Sequence, residues 1–329
     1  MLKRIGLLIL SVCTLAVHAS AQTAQPVTPQ PQTSTAAQPK SFTTLLKKTV
    51  GFLHVAYLRD GTLMEANGTC FFVIYEDKRL GENRGFIYLV TNRHMANPGI
   101  EDGNSFPVIS FGLRLNLSNS DQGSQDGQIP IEGQRHWFYP SDDSVDLAVI
   151  PFAPDQVMYD YVPFPVSLFA TRDVVTTQGI AEGDSILFAG YFYQFPGLKK
   201  FQPIIREGIL AMMPDEKLDT TLKKPGHLYL GDVHVFGGNS GSPLFVNLSG
   251  MRNGSLLLGT QYRLLGVVSG FYHEDSNLNL TVATTLRGTL EQNSGIAIVV
   301  PVDELKALLD SAAVQAARDS EVAATKAKN

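Results

Sequence analysis

Only two cysteines occur in the 329 residues, Cys13 and Cys70. Cys13 falls within an N-terminal export segment, so Cys70 stands alone and no internal disulfide can form in the mature chain. That excludes a disulfide-stapled scaffold and leaves stability to the core. Cys70 sits in the apolar run Thr69-Cys70-Phe71-Phe72-Val73, where a thiol serves as a small buried hydrophobe rather than as a reactive group. Charge is also scarce, at 17% of residues, against roughly a quarter in an ordinary domain. The formal net charge is −5 and no basic cluster with interleaved aromatics occurs, so nothing directs the chain to nucleic acid. His54, His136, His227 and His273 lack metal-ligand spacing and cysteine partners, so neither metal nor cofactor is expected. Long apolar runs are missing as well. The N-terminal one, Ile5 to about Val17, is too short to span a bilayer comfortably. Helical periodicity of useful length is absent until Pro301.

What is present begins with a secretory signal over residues 1–21. Lys3 and Arg4 supply its positive end, the apolar run follows, and Ala19-Ser20-Ala21 gives a cleavage site before Gln22. A lipoprotein signal, Leu10-Ser11-Val12-Cys13, is the rival reading, with Val12 too bulky for such a site. Residues 22–45 form a Pro/Gln/Thr-rich disordered linker that cannot build a core. Regular structure is expected from near Phe42, the folded domain over 46–310, and an Ala-rich tail over 311–329.

Inside the domain, short β-rich runs recur every ten to twenty residues. Phe52–Leu58, Cys70–Tyr75, Phe86–Thr91, Val108–Leu113 and Leu147–Phe152 make a first set. Ser185–Phe192, Ile204–Ala211, His227–Val235, Pro243–Val246, Leu264–Phe271 and Gly295–Val300 make a second, a spacing that suits barrels. From Val302, the residues Val302, Leu305, Leu308 and Leu309 share one helical face. Asp303 and Glu304 in its first turn complement the helix dipole.

Chemistry concentrates in Phe236-Gly237-Gly238-Asn239-Ser240-Gly241-Ser242-Pro243. Glycines there let the backbone turn its own N–H groups toward a point beside the serine oxygen. The N–H groups of Gly238 and Ser240 are candidates to hold an oxyanion. A serine needs a base, and the base an orienting acid. His94 ends the strand in Tyr88-Leu89-Val90-Thr91-Asn92-Arg93-His94, and Asp146 opens the apolar run Leu147-Ala148-Val149-Ile150. The chain order is His, Asp, Ser, unlike the orders of α/β-hydrolases and subtilisin-like enzymes.

In that order, "LVTNRHM", "DLAVI" and "GNSGSP" resemble the histidine turn, aspartate strand and nucleophile loop of the trypsin-like (chymotrypsin-fold) serine proteases. "GDSILFAGY", "REGIL" and "NSGIAIVVPVDELKALL" resemble the HtrA branch in particular, over roughly residues 46–310. The resemblance implies an all-β fold of two antiparallel six-stranded β-barrels with a C-terminal helix. It makes His94 the general base, Asp146 its support and Ser240 the nucleophile. The PDZ domains of HtrA proteases find no counterpart in the twenty or so residues that follow, so PDZ-mediated regulation is not carried over. Asn239 stands where trypsins have an aspartate that pairs with a new N-terminal amine, so activation by clipping is not expected. In this fold His234, Ser269 and Phe271 wall the pocket for the residue before the cut. With His234 rather than a carboxylate there, Lys/Arg specificity is unsupported.

The expected function is a serine endopeptidase of the bacterial envelope, periplasmic or secreted, acting on proteins or peptides through an acyl-enzyme. The alternative is a binding or scaffold protein on the same fold with little hydrolysis.

Overall fold

In a computed structural model of the chain, residues 41–328 are described, apart from 83, 120, 132–135, 258, 260 and 282–284. The expected signal segment and nearly all of the expected linker therefore lie outside the described residues. A short helix α1 (Phe42–Thr49) starts inside the stretch read as linker, with the Ser41 hydroxyl accepting from Thr44 N at its start. Phe42 stacks on Tyr262 at 3.9 Å and meets Phe245 edge-on. Those two ring contacts give a residue in a polar sequence a fixed place.

Seven strands follow: β1 (Val50–Arg59), β2 (Thr62–Glu76), β3 (Gly85–Thr91), β4 (Val108–Asn116), β5 (Ser124–Gln128), β6 (Ala148–Pro151) and β7 (Phe164–Pro165). They form one sheet in the order β5-β4-β1-β2-β3-β6, with β7 pairing parallel to β2 and all other pairs antiparallel. The centre of β2, from Thr69 to Val73, is buried on both faces, which is why it reads as an unbroken apolar run rather than an alternating one. Cys70 lies there fully buried, and burial drives its thiol pKa far above the ordinary range. A one-turn helix α2 (Arg93–Ala96) follows β3, and α3 (Arg172–Gln178) leads to the second half.

The second half holds β8 (Ser185–Gly190), β9 (Ile204–Met212), the small pairs β10 (Leu218–Asp219) with β11 (Pro225–Gly226) and β14 (Gly250–Arg252) with β15 (Ser255–Leu257), and then β12 (Tyr229–Asp232), β13 (Pro243–Asn247), β16 (Tyr262–Thr281) and β17 (Thr285–Pro301). Six of them close an antiparallel barrel, β12-β17-β16-β13-β8-β9. The fold is thus mainly antiparallel β, with the second half ring-closed and the first half a seven-stranded sheet. Helix α4 (Val302–Leu309) buries Val302, Leu305, Leu308 and Leu309, the four positions its periodicity marks.

The chain then turns into a second helix, α5 (Ala312–Lys328), over most of the Ala-rich stretch. Val314, Arg318 and Val322 are its buried positions, spaced four apart along one face. Arg318 donates to the Leu309 carbonyl at 2.8 Å and lies 4.0 Å over the Tyr75 ring. A cation at the end of α4 answers the carbonyls exposed there. Among the described residues no helix is long and apolar enough to cross a membrane.

Candidate active site

His94 occupies α2, directly after β3 delivers its chain to the surface. Asn92, fully buried at the head of that turn, donates from Nδ2 to the Asp146 carbonyl at 2.9 Å. The segment carrying the histidine is therefore tied to the segment carrying the aspartate before the side chains meet. Asp146 is fully buried. Its Oδ2 accepts from His94 Nδ1 at 2.8 Å and its Oδ1 accepts from the His94 backbone N–H at 3.0 Å. This two-point grip fixes both the ring's orientation and its tautomer, with the Nδ1 proton toward the carboxylate and Nε2 left to accept.

Two more groups crowd the same carboxylate, and a third faces the imidazole. Ser269 Oγ and Thr221 Oγ1 both lie within hydrogen-bonding distance of Asp146 Oδ2, the second at 3.0 Å, and the two hydroxyls lie 2.6 Å apart. Glu101 Oε1 lies 3.8 Å from His94 Nδ1. Burial pushes the Asp146 carboxyl up, but the His94 charge and the hydrogen bonds from His94 and Ser269 hold it below the usual carboxylate range. Burial pulls the His94 imidazole down. The Asp146 charge, the Asp146 hydrogen bond and the Glu101 charge together outweigh burial and leave it above an ordinary histidine.

Ser240 is held by its backbone from both halves of the fold. Thr69 N of β2 donates to the Ser240 carbonyl at 2.9 Å, and Thr69 Oγ1 donates to the Gly238 carbonyl at 2.8 Å. Two glycines are required here. Gly238 has φ of +92°, and a Cβ on it would sit 2.6 Å from the Tyr191 ring; Gly241 has φ of +85°, and its Cβ would sit 2.0 Å from the Thr69 carbonyl oxygen. Asn239 is 1% exposed. Its Nδ2 donates to the Tyr191 carbonyl at 2.7 Å and its Oδ1 accepts from Phe236 N at 2.9 Å, so the amide is satisfied at both ends by backbone. Among the described residues, no partner is found for the N–H groups of Gly238 and Ser240. Ser240 Oγ donates to the Ser269 carbonyl at 3.1 Å rather than to His94, so the hydroxyl must swing away from Ser269 to reach the imidazole.

A cavity of about 440 Å³ brings His94, Ser240, Ser269 and Phe271 together, along with Glu101 and Thr221. His234 is exposed and is not among the residues that line it; its ring lies 3.8 Å from the position a Cβ on Gly295 would take. Phe271 is half-buried and tilted against His273 at 4.6 Å between ring centres. Ser269 is buried and faces the aspartate. Thr69, Thr221 and Glu101 carry no motif and are missed from the sequence. Of these, only Glu101 had a signal, a carboxylate seven residues after the histidine. Among the described residues, no cluster of three or more His, Cys, Asp or Glu side chains suits a metal ion.

No protein-family model matches the sequence, and no curated protein does. Solved structures similar to the chain include Deg5, at 15% identity and a TM-score of 0.42, covering 80% of this chain and 88% of Deg5. The HtrA-type protease AlgW with a decapeptide is similar at 14% identity and a TM-score of 0.45, over 82% of this chain; the chain spans 65% of AlgW's length. The Rv3671c protease from M. tuberculosis in its active form is similar at 15% identity and a TM-score of 0.42, over 88% of this chain and 93% of that one.

Proposed function

We propose that the chain is an exported serine endopeptidase, cleaving protein or peptide substrates through an acyl-enzyme formed on Ser240. The observation that carries the reading is the paired grip of buried Asp146 on His94, in one cavity with Ser240. The steps follow from the groups present. His94 Nε2 takes the Ser240 proton as Oγ attacks the carbonyl, and Asp146 stabilises the imidazolium that forms. The N–H groups of Gly238 and Ser240 are free to receive the oxyanion. His94 then gives its proton to the leaving amine, and water repeats the sequence to release the acid. The sequence's signal segment supports export to the bacterial envelope.

A fluorophosphonate probe is the direct test. Labelling of Ser240 that disappears in Ser240→Ala, together with cleavage of casein or a peptide library, supports the peptidase. A folded protein that the probe does not label would instead fit the scaffold reading, and labelling without protein cleavage would point to an esterase.

The pH profile gives a second prediction. The base works only when neutral, so activity rises as pH passes upward through the His94 pKa. Because Asp146 and Glu101 raise that pKa, the acid limb should lie above the ordinary histidine value of ~6.5. Glu101→Gln removes one of the two negative charges, disfavours the imidazolium and moves the limb toward lower pH. Measured kcat/KM against pH for both proteins decides this; an upward move of the limb would contradict it.

The third prediction concerns activation. With both ends of the Asn239 amide bonded to backbone, position 239 offers no carboxylate to an N-terminal amine. Protein beginning at Gln22 and protein beginning at Lys40 should be equally active, each with its N-terminus intact by mass spectrometry. Activity that appears only after a cut between Lys40 and Val55, and is lost when one residue is added ahead of the new terminus, would overturn this.

A further inference from the structure

The segment between β9 and β12 does more than connect two strands. It folds into a tongue, with β10 and β11 paired Leu218 to Gly226 and Asp219 to Pro225. At its tip the Thr220 backbone N–H donates to the Lys224 carbonyl, and Lys223 is held at φ +56°. Thr220 and Leu222 are buried on either side of Thr221. The tongue belongs to the second half of the chain, but its ion pairs lie with the first. Lys223 pairs with Asp102 at 2.7 Å, and Lys224 pairs with Asp143. Gly226 lies against Ser144, with no room for a Cβ, which would sit 2.9 Å from Ser144 Oγ. These contacts bracket the segments that carry His94 and Asp146. They present one side chain, Thr221, to the catalytic carboxylate, where its Oγ1 lies 3.0 Å from Asp146 Oδ2 and 2.6 Å from Ser269 Oγ.

We infer that Thr221 is a positioning residue for the proposed triad: the tongue carries its hydroxyl to Asp146, where it takes up part of the carboxylate's negative charge and so sets how strongly Asp146 holds His94. The inference rests on the reading of His94 as the base and Ser240 as the nucleophile. Two hydroxyl protons, those of Thr221 and Ser269, serve three short contacts. Thr221 therefore either donates to Oδ2 directly or donates to Ser269, which then donates to Oδ2. Either arrangement stabilises the ionised carboxylate, and both require the hydroxyl. A valine has the shape of threonine and no proton to give.

The charged and titratable groups around His94 come from three directions. Asp146, Glu101 and Asp102 belong to the first half. Asp219 and Lys223 belong to the tongue, and Tyr272 and His273 to β16. Thr221→Val changes none of these charges. Its effect on His94 passes through Asp146: a carboxylate with one donor fewer keeps more charge toward the imidazole and favours the protonated ring. The His94 pKa should therefore rise, and the acid limb of activity should move to higher pH.

The test compares wild type, Thr221→Val, Thr221→Ser and Thr221→Ala. The His94 titration is followed by NMR on the imidazole nitrogens, and kcat and KM are measured across pH on a peptide the wild type cleaves. Thr221→Val should raise the His94 pKa by about half a unit and lower kcat several-fold, less than the full effect of one hydrogen bond to a charged group because it reaches His94 only through Asp146. KM should hold, and Thr221→Ser should return both values toward wild type. Thr221→Ala should follow Thr221→Val, which covers a valine that disturbs the tongue. An unchanged His94 titration in both Thr221→Val and Thr221→Ala overturns the inference. So does a Thr221→Ser protein as impaired as the valine variant, because a hydroxyl would then not be what matters. If the wild type neither cleaves peptides nor reacts with a fluorophosphonate, the peptidase reading fails, and the NMR titration still decides whether Thr221 tunes His94.

Discussion

Ser240→Ala and His94→Ala should each reduce peptide hydrolysis by about a thousandfold or more, and the double substitution should reduce it little further. In the proposed mechanism one proton passes between these two groups, so removing either leaves the other without a partner, and their losses do not add. The folded state should survive both changes for reasons visible in the contacts. Ser240 Oγ makes one hydrogen bond, to the Ser269 carbonyl, while its loop is held by backbone bonds from Thr69, Val268 and Asn239 that a change of side chain leaves in place. His94→Ala should cost more stability than Ser240→Ala. It takes the imidazole from a fully buried carboxylate, which keeps the hydroxyls of Ser269 and Thr221 and the backbone N–H of residue 94. The measurements are kcat/KM on casein or a peptide library for the two single variants and the double, with thermal unfolding for each. Near-wild-type hydrolysis by a folded Ser240→Ala protein would rule out the nucleophile assignment.

The three triad candidates were legible because each sits where a strand meets a turn, and such places show in sequence as an apolar run stopped by polar or glycine residues. β3 runs into Asn92-Arg93-His94, Asp146 precedes β6, and the Gly-rich loop precedes β13. The same rule located α4, whose four buried residues keep a helical period. It failed where an element is not built from apolar residues. β5 spans Ser124–Gln128, five residues without a large hydrophobe. It forms because the edge of β4 offers it backbone partners, from Gly112↔Gln128 to Asn116↔Ser124. The far ends of β16 and β17 were also missed. The apolar runs end at Phe271 and begin again at Gly295, but the two strands pair on to Thr281↔Thr285. Polar residues such as Asn277 and Asn279 are poor strand formers alone, and there the partner strand decides. The hydroxyls that support Asp146 and the Ser240 loop were hidden for a different reason. Thr221 lies 75 residues from Asp146, and Thr69 lies 169 from Gly238. A hydroxyl that supports a catalytic group through the tertiary fold has no local pattern to announce it. Ser269 shows how a position can be found and its task missed: it lines the cavity, as a pocket residue would, but its hydroxyl is turned to Asp146.

Asp146→Asn should be almost as damaging as loss of the nucleophile, although it changes one atom. Every group that meets this carboxylate carries a proton to give: the His94 backbone N–H at Oδ1, and His94 Nδ1, Ser269 Oγ and Thr221 Oγ1 at Oδ2. An asparagine amide brings two N–H groups into this set. If its NH₂ faces the backbone N–H of His94, two donors meet with no acceptor between them. If it faces the imidazole, it forces the ring into the other tautomer, with the proton on Nε2, where it cannot accept from Ser240. The first orientation leaves a buried donor unpaired, at a cost of about 1–3 kcal/mol, and the second takes the base away. Loss of the charge also removes the main support for the imidazolium. Hydrolysis should therefore fall by about a thousandfold or more at neutral pH, and the acid limb should move down, because an uncharged neighbour no longer favours the protonated ring. Some activity should return at high pH, where hydroxide can take over from a base that no longer works. A fluorophosphonate should label Asp146→Asn slowly and Ser240→Ala not at all. If Asp146→Asn keeps wild-type kcat with an unmoved acid limb, the grip on His94 has no part in the chemistry, and the assignment of Asp146 fails with it.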